Sequence, residues 1–233
     1  MPGKKHLILL PAFMTTVALW RSQVEALADI AAIEVVDLTP YDSIEGMADA
    51  VLDAAPDRFA RAGLSLGGFT AFEIMRRASE RITRLALVST SARTDTSERL
   101  EGRKVQLEMV RAGRFTEAIG PFPTIIQSGE RPLTPEALEC VREMCREVGP
   151  DGFLNQQTAM MNRSDSRAGL AAISCPTVVI CGRQDQSWPL ENSEEIATAI
   201  PGAKLVVIED CGHFPSIDRP AEVTTAMREW LLS

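Results

Sequence analysis

The chemistry-bearing residues of this chain group around one serine. Residues 62–69 read Ala62-Gly63-Leu64-Ser65-Leu66-Gly67-Gly68-Phe69, a Gly-x-Ser-x-Gly pattern with the form of a strand end, a tight turn and a helix start. A serine at the apex of such a turn sits in a strained backbone while neighbouring chains pass close by. Gly63 and Gly67 have no Cβ to clash there, and glycine tolerates otherwise forbidden backbone angles. The helix that follows points its free N–H groups and positive dipole end at the place where an oxyanion would form. A serine hydroxyl is a weak nucleophile: it needs a base, and the base needs an orienting carboxylate. Only two histidines are present, His6 and His213. His6 opens an apolar run beside two lysines and reads as solvent-exposed. His213 stands in Cys211-Gly212-His213-Phe214 just after the last strand-like run, where open α/β sheets keep their sites, so it is the base expected for Ser65. Among the carboxylates, Asp185 directly follows another strand-like run, although aspartates after strands are also common turn formers. Asp210 lies closer to His213, but its short tether makes it a poor orienter of the ring. Asp165 is a third candidate.

These residues need a scaffold, and the hydrophobic pattern supplies one. Short apolar runs predict strands at 6–10, 33–38, 59–64, 82–88, 177–181 and 204–208. Helical patterns are expected over 16–30, from Ser43 to about Leu52, and over 67–78, 190–200 and 220–232. Alternating strands and helices argue for a mostly parallel sheet with helices on both faces, an α/β fold. From about Ser91 to Ala172 the strand signals stop. Leu100–Ala112 and Pro135–Val148 are helical patterns separated by a Pro- and Gly-rich loop over 120–132. The expected organisation is therefore a core of residues 1–90 and 173–233 with a small helical cap inserted at 91–172.

Composition narrows the function classes. The 233 residues suit one domain with a full core, and 45% hydrophobic with 24% charged residues is ordinary for a globular protein. A net charge of −8 without a basic cluster repels phosphate backbones, so no nucleic-acid partner is expected. The five cysteines contain no Cys-x-x-Cys and do not cluster with the histidines, so neither a disulfide framework nor a metal site is expected. Reduced thiols point to the cytoplasm. Lys4-Lys5 and the apolar Leu7–Trp20 mimic a signal peptide, but Pro11 interrupts the run. No run reaches membrane-spanning length, so no membrane association is expected.

Together the elbow GLSLGG, the turn GRQD and the turn CGHF resemble the α/β-hydrolase superfamily, in the branch with a serine nucleophile. The resemblance covers nearly the whole chain. It implies a Ser65–Asp185–His213 triad in that chain order, no cofactor, and an oxyanion hole built from two backbone N–H groups. One is Leu66 N–H, immediately after the nucleophile, and the other comes from the loop after the first strand, where Phe13 N–H is chosen. The chain departs from the pattern in three ways. Pro11-Ala12 stands where many members carry His-Gly. The usual first hairpin is missing, so the fold has a shortened N-terminus. The cap is short. A serine rather than an aspartate nucleophile argues against epoxide hydrolases and haloalkane dehalogenases.

The expected activity is hydrolysis of a small or medium, mostly apolar carboxylic ester through an acyl-enzyme. Met14, Trp188 and Phe214 are expected substrate contacts, and Met160 and Met161 read more readily as cap core. GLSLGG also resembles the elbow of enol-lactone hydrolases, and carbon–carbon bond hydrolases share the architecture. Such acidic substrates need a cationic clamp, for which Arg103, Arg111, Arg163 and Arg167 are candidates. A non-catalytic small-molecule binder of the same fold is the remaining reading.

Overall fold

The computed structural model describes residues 4–127 and 132–233. Six strands form one sheet: β1 (Lys5–Leu10), β2 (Ala31–Val35), β3 (Phe59–Leu64), β4 (Ile82–Val88), β5 (Thr177–Gly182) and β6 (Lys204–Ile208). They lie in the order β2-β1-β3-β4-β5-β6, and every neighbouring pair is parallel. Helices α1 (Arg21–Leu27), α2 (Ile44–Ala54) and α3 (Leu66–Ala78) connect the first four strands. Between β4 and β5 lie α4 (Ser97–Arg111), α5 (Phe115–Ile119), α6 (Phe122–Ile125) and α7 (Pro135–Asn162). The chain closes with α8 (Leu190–Ala199), α9 (Pro215–Asp218) and α10 (Pro220–Leu232).

Period-two alternation sends successive strand residues to opposite faces of the sheet. Leu7, Leu9, Ala62, Leu64 and Val178 pack with Trp20, Leu27, Met227 and Trp230, under α1 and α10. Ile8, Leu10, Leu85, Leu87 and Val179 pack with Met47, Val51, Ile74 and Ile196, under α2, α3 and α8. Because both faces are covered, inner strands such as β1 over 7–10 and β5 over 178–181 read as apolar runs.

The strand order decides where a site can form. From β1 the chain moves outward to β2, then crosses back to place β3 on the other side of β1. Connections leave β1 and β3 in opposite directions at that point, which opens a crevice at their carboxyl ends. The Pro11–Met14 loop and Ser65 stand on its two sides.

The strands at 59–64, 82–88 and 204–208 match the expected bounds, and others shift. The second strand spans 31–35 rather than 33–38: the chain leaves the sheet after Val36 N–H donates to Leu9 O, and Thr39 N–H then turns onto Asp37 Oδ1 at 2.9 Å. The expected helix over 16–30 is a 3₁₀ turn at Val17–Trp20 followed by α1. The helix expected to stop at Val148 kinks at Gly149 (φ 65°) and runs on from Pro150 to Asn162. Proline is tolerated there because it starts a new helical stretch, whose first N–H groups have no intrahelical partner anyway. The loop expected over 120–132 carries α6, and its residues 128–131 lie outside the described residues.

Candidate active site

Ser65 joins β3 to α3 with φ 52° and ψ −106°, a conformation in which an L-residue is strained. Its backbone is held by hydrogen bonds, among them these. Ser65 N–H donates to Val88 O at 3.0 Å, the Thr90 hydroxyl donates to Ser65 O at 2.9 Å, and Gly68 N–H donates to the same carbonyl at 2.9 Å. The glycines matter for space. A Cβ on Gly63 would lie 2.2 Å from Gly67 O, and one on Gly67 would lie 2.2 Å from Leu10 O. Neither has a positive φ, so the strain sits on the serine and the glycines supply close approach.

His213 follows β6 and is buried, with its backbone N–H donating to Ile126 O at 2.9 Å. Its Nδ1 lies 2.8 Å from Asp185 Oδ2. The other oxygen, Asp185 Oδ1, accepts from Ser187 N–H at 2.8 Å and Trp188 N–H at 3.0 Å. Asp185 is thus both a turn former and the histidine's partner, one oxygen for each task. A carboxylate locked in this way can fix the imidazole tautomer and stabilise an imidazolium. Of the other candidates, Asp210 is exposed, Asp165 is bound to Arg167, and His6 is exposed on β1.

Ser65 and His213 line one cavity of about 730 Å³, together with Phe13, Trp188, Phe214 and Met160. Among the described residues Ser65 Oγ accepts from Trp188 Nε1 at 3.3 Å, and no hydrogen bond joins it to His213. Phe13 packs edge-on against Phe122 and Phe153, Phe122 meets Phe214, and Phe214 stacks on the imidazole, so one wall is aromatic. The side chains of Met14 and Leu66 are buried and do not line the cavity, so Met14 is not placed as a substrate contact. Met161 is half-buried and outside it as well.

Leu66 is the first residue of α3, where an amide has no intrahelical partner. Phe13 N–H has no acceptor among the described residues, whereas the amides on either side are both used. Ala12 N–H donates to Thr15 Oγ1 at 2.9 Å and Met14 N–H donates to Gln156 Oε1 at 2.9 Å. Met14 has φ 57°, so like the serine it is a strained L-residue. Sequence reading missed Gln156, which acts across 142 residues from the second half of α7.

The four candidate clamp arginines separate. Arg111 and Arg167 are exposed and paired with Glu108 and Asp165. Arg163 is buried, donates to Asp95 at 2.8 Å and lies over the Phe69 ring. Arg103 reaches the cavity and donates to the other Asp95 oxygen at 2.7 Å. Burial pushes the Asp95 carboxyl up, but Arg163 and Arg103 outweigh it and hold the carboxyl below its usual range. Among the described residues no group of three or more His, Cys, Asp or Glu is placed to hold a metal ion.

A parallel sheet with a serine elbow after an inner strand and an aspartate–histidine pair on later loops is the arrangement of the α/β hydrolases. The sequence model of the alpha/beta hydrolase family matches residues 8–226, and the chain belongs to that family. It is 27% identical over 230 residues to a pimeloyl-[acyl-carrier protein] methyl ester esterase of Nitrosomonas europaea, covering 93% of this chain and 91% of the relative. A thermophilic esterase from Thermogutta terrifontis, solved with malate bound, superposes with a TM-score of 0.88 at 31% identity over 99% of this chain and 90% of that one. An enol-lactonase from Burkholderia xenovorans superposes with a TM-score of 0.84 at 25% identity, over 99% of this chain and 92% of that one. The protein is an esterase-like hydrolase.

Proposed function

We propose that the protein hydrolyses a small or medium carboxylic ester through a Ser65–His213–Asp185 triad. The observation that carries this reading is the 2.8 Å Asp185–His213 contact on the same cavity as a strained serine. Rotation of the Ser65 side chain away from Trp188 Nε1 presents Oγ to the imidazole. Oγ then attacks the ester carbonyl, and His213 takes its proton and returns it to the leaving alcohol. Asp185 holds the ring and stabilises the imidazolium. The N–H groups of Phe13 and Leu66 receive the oxyanion, each worth roughly 3–4 kcal/mol at the transition state in comparable sites. Water, deprotonated by His213, releases the acyl group and restores Ser65. No step calls for a cofactor. A cavity of about 730 Å³ suits a small organic ester.

The test is labelling of intact protein by a fluorophosphonate, read by mass spectrometry. One adduct on Ser65 is expected, and Ser65→Ala is expected to lose the adduct and about 10⁴-fold or more of kcat on an aryl ester. An unlabelled serine would move the non-catalytic binder to first place. A lactone is a cyclic ester open to the same attack, and the likeness to an enol-lactonase favours including lactones in the substrate panel. Five free thiols suit a reducing compartment, and we place the protein in the cytoplasm on that ground.

A further inference from the structure

Ester hydrolysis itself requires no cation near the serine, yet two guanidiniums from one helix reach this cavity. Arg99 and Arg103 stand four residues apart on α4, hence on one face. Arg99 lies flat over Trp188, its guanidinium carbon 4.1 Å from the ring centroid. The same indole donates to Ser65 Oγ at 3.3 Å, so one ring separates the cation from the nucleophile.

Arginine brings a planar fork of five N–H donors. Among the described residues only Arg99 Nη2 has an acceptor, Ser187 O at 2.9 Å, which leaves Nε and Nη1 free. Arg103 gives Nε to Asp95 and Nη1 to Gln157 Oε1 at 2.5 Å, and its Nη2 is free. Arg163, behind them, has all three nitrogens engaged, by Asp95, Arg93 O and Met160 O. Three guanidiniums thus crowd one buried carboxylate, Asp95. The remaining charges at the cavity lie farther out. Glu98 is exposed, and Arg93 is exposed and paired with Glu195. Burial holds both Arg99 and Arg103 below the usual arginine range. Cations stripped of water and short of counter-charge gain most from a bound anion.

We propose that Arg99 and Arg103 form a carboxylate-binding subsite beside Ser65, selecting an ester or lactone that carries a free carboxylate a few bonds from the scissile carbonyl. The proposal deepens the hydrolase reading and rests on it for the bond that is cut. Arg99 gives one N–H, from Nη1 or Nε, to one carboxylate oxygen, Arg103 gives Nη2 to the other, and the scissile carbonyl then lies over Ser65.

The test keeps binding apart from turnover. Calorimetry on Ser65→Ala protein, which cannot turn over, compares monomethyl glutarate with the neutral methyl butyrate. The charged ester is expected to bind about 10- to 100-fold tighter, the contribution of hydrogen bonds to a charged group. Ser65→Ala/Arg99→Met is expected to erase that difference, and Arg99→Gln serves should the methionine variant fold poorly. Arg111→Gln, on the same helix but paired outside the cavity, is expected to keep it. In protein with Ser65 intact, the ratio of kcat/KM for mono-p-nitrophenyl glutarate over p-nitrophenyl butyrate should fall by the same factor on Arg99→Met. Equal binding of charged and neutral esters to Ser65→Ala overturns the subsite, whatever the fluorophosphonate shows. Labelling of Ser65 without discrimination leaves a hydrolase without this specificity. Discrimination without labelling leaves the subsite standing and removes the hydrolase. A purely structural Arg99, bracing Trp188 alone, would weaken charged and neutral esters alike.

Discussion

A single arginine on the central sheet runs against the chemistry around it. Arg61 lies in the middle of β3 and is fully buried, between Phe59 and the Gly63 that packs against the elbow. Its Nη2 donates to Ala71 O on α3, and its Nε and Nη1 have no described partner. Burial pushes its guanidinium down to about 9. Desolvating an unpaired cation costs more than one carbonyl returns, and apolar side chains of similar volume replace such groups without loss or with a gain. Arg61→Met is therefore expected to raise stability by about 1–4 kcal/mol, read as a higher urea midpoint at unchanged slope. A lower midpoint would mean that the guanidinium holds α3 against β3 more firmly than its hydrogen bonds suggest. Ser65 shows the opposite arrangement, in which strain is held on purpose. Its positive φ is fixed by bonds to Val88, Thr90 and Gly68, and Gly63 and Gly67 make room for the turn. That much is legible in five letters of sequence, because the constraint is local. The glycine spacing reports a close approach that any larger residue would block.

Elements decide what the letters leave open. Asp185 and His213 were readable because each follows a strand directly, and strand ends at the switch point of a parallel sheet converge. Arg99 was not readable. Arg99, Arg103 and Arg111 share α4, but Arg111 sits about a third of a turn round from Arg99 and faces solvent. Only the packing of α4 over Trp188 tells these arginines apart. Gln156 was hidden for the same reason, since its partner lies in the β1 loop and it is reached only after the Gly149–Pro150 kink. The second half of α7 thereby braces the Pro11–Met14 loop, where the expected His-Gly is replaced by Pro11-Ala12. With Met14 N–H tied back to Gln156, the neighbouring Phe13 N–H stays free. Gln156→Leu leaves the buried Met14 N–H unpaired, so a loss of about 1–3 kcal/mol in stability is expected. If Phe13 N–H serves the oxyanion, kcat should also fall by about 10- to 100-fold with little change in KM, as for a group acting in the transition state. Gln156→Glu keeps an acceptor and should recover most of both. A stability loss with kcat intact would take the brace out of the chemistry and leave it in the packing.

At the scale of the whole molecule the question is whether the sheet and the helices between β4 and β5 open as one body. Among the described residues the bonds that tie them near the site include His213 N–H to Ile126 O, Met14 N–H to Gln156 and Arg99 Nη2 to Ser187 O. The sheet has in addition the parallel ladders that join its strands, while the apolar layers are shared with helical-segment residues such as Met144 and Phe153. If residues 91–172 behave as a cap, they should open locally at lower free energy than the sheet unfolds. Two buried thiols report on the two parts. Cys145 lies on α7 and Cys181 on β5, and burial pushes Cys145 up to about 12 and Cys181 up to about 11. Neither reacts as thiolate without opening, because the thiol form is a poor nucleophile. Pulsed thiol labelling in rising urea, read by peptide mass spectrometry, should show Cys145 modified first and with a weaker dependence on urea, since a partial opening exposes less surface. Cys181 should react only with the slope of global unfolding. Equal rates and slopes for both thiols would show one cooperative unit and remove the division at residues 91–172. Access to the cavity would then depend on side-chain motion at its rim, at Arg99 and Phe122, and the carboxylate subsite would be a fixed wall rather than part of a moving cover.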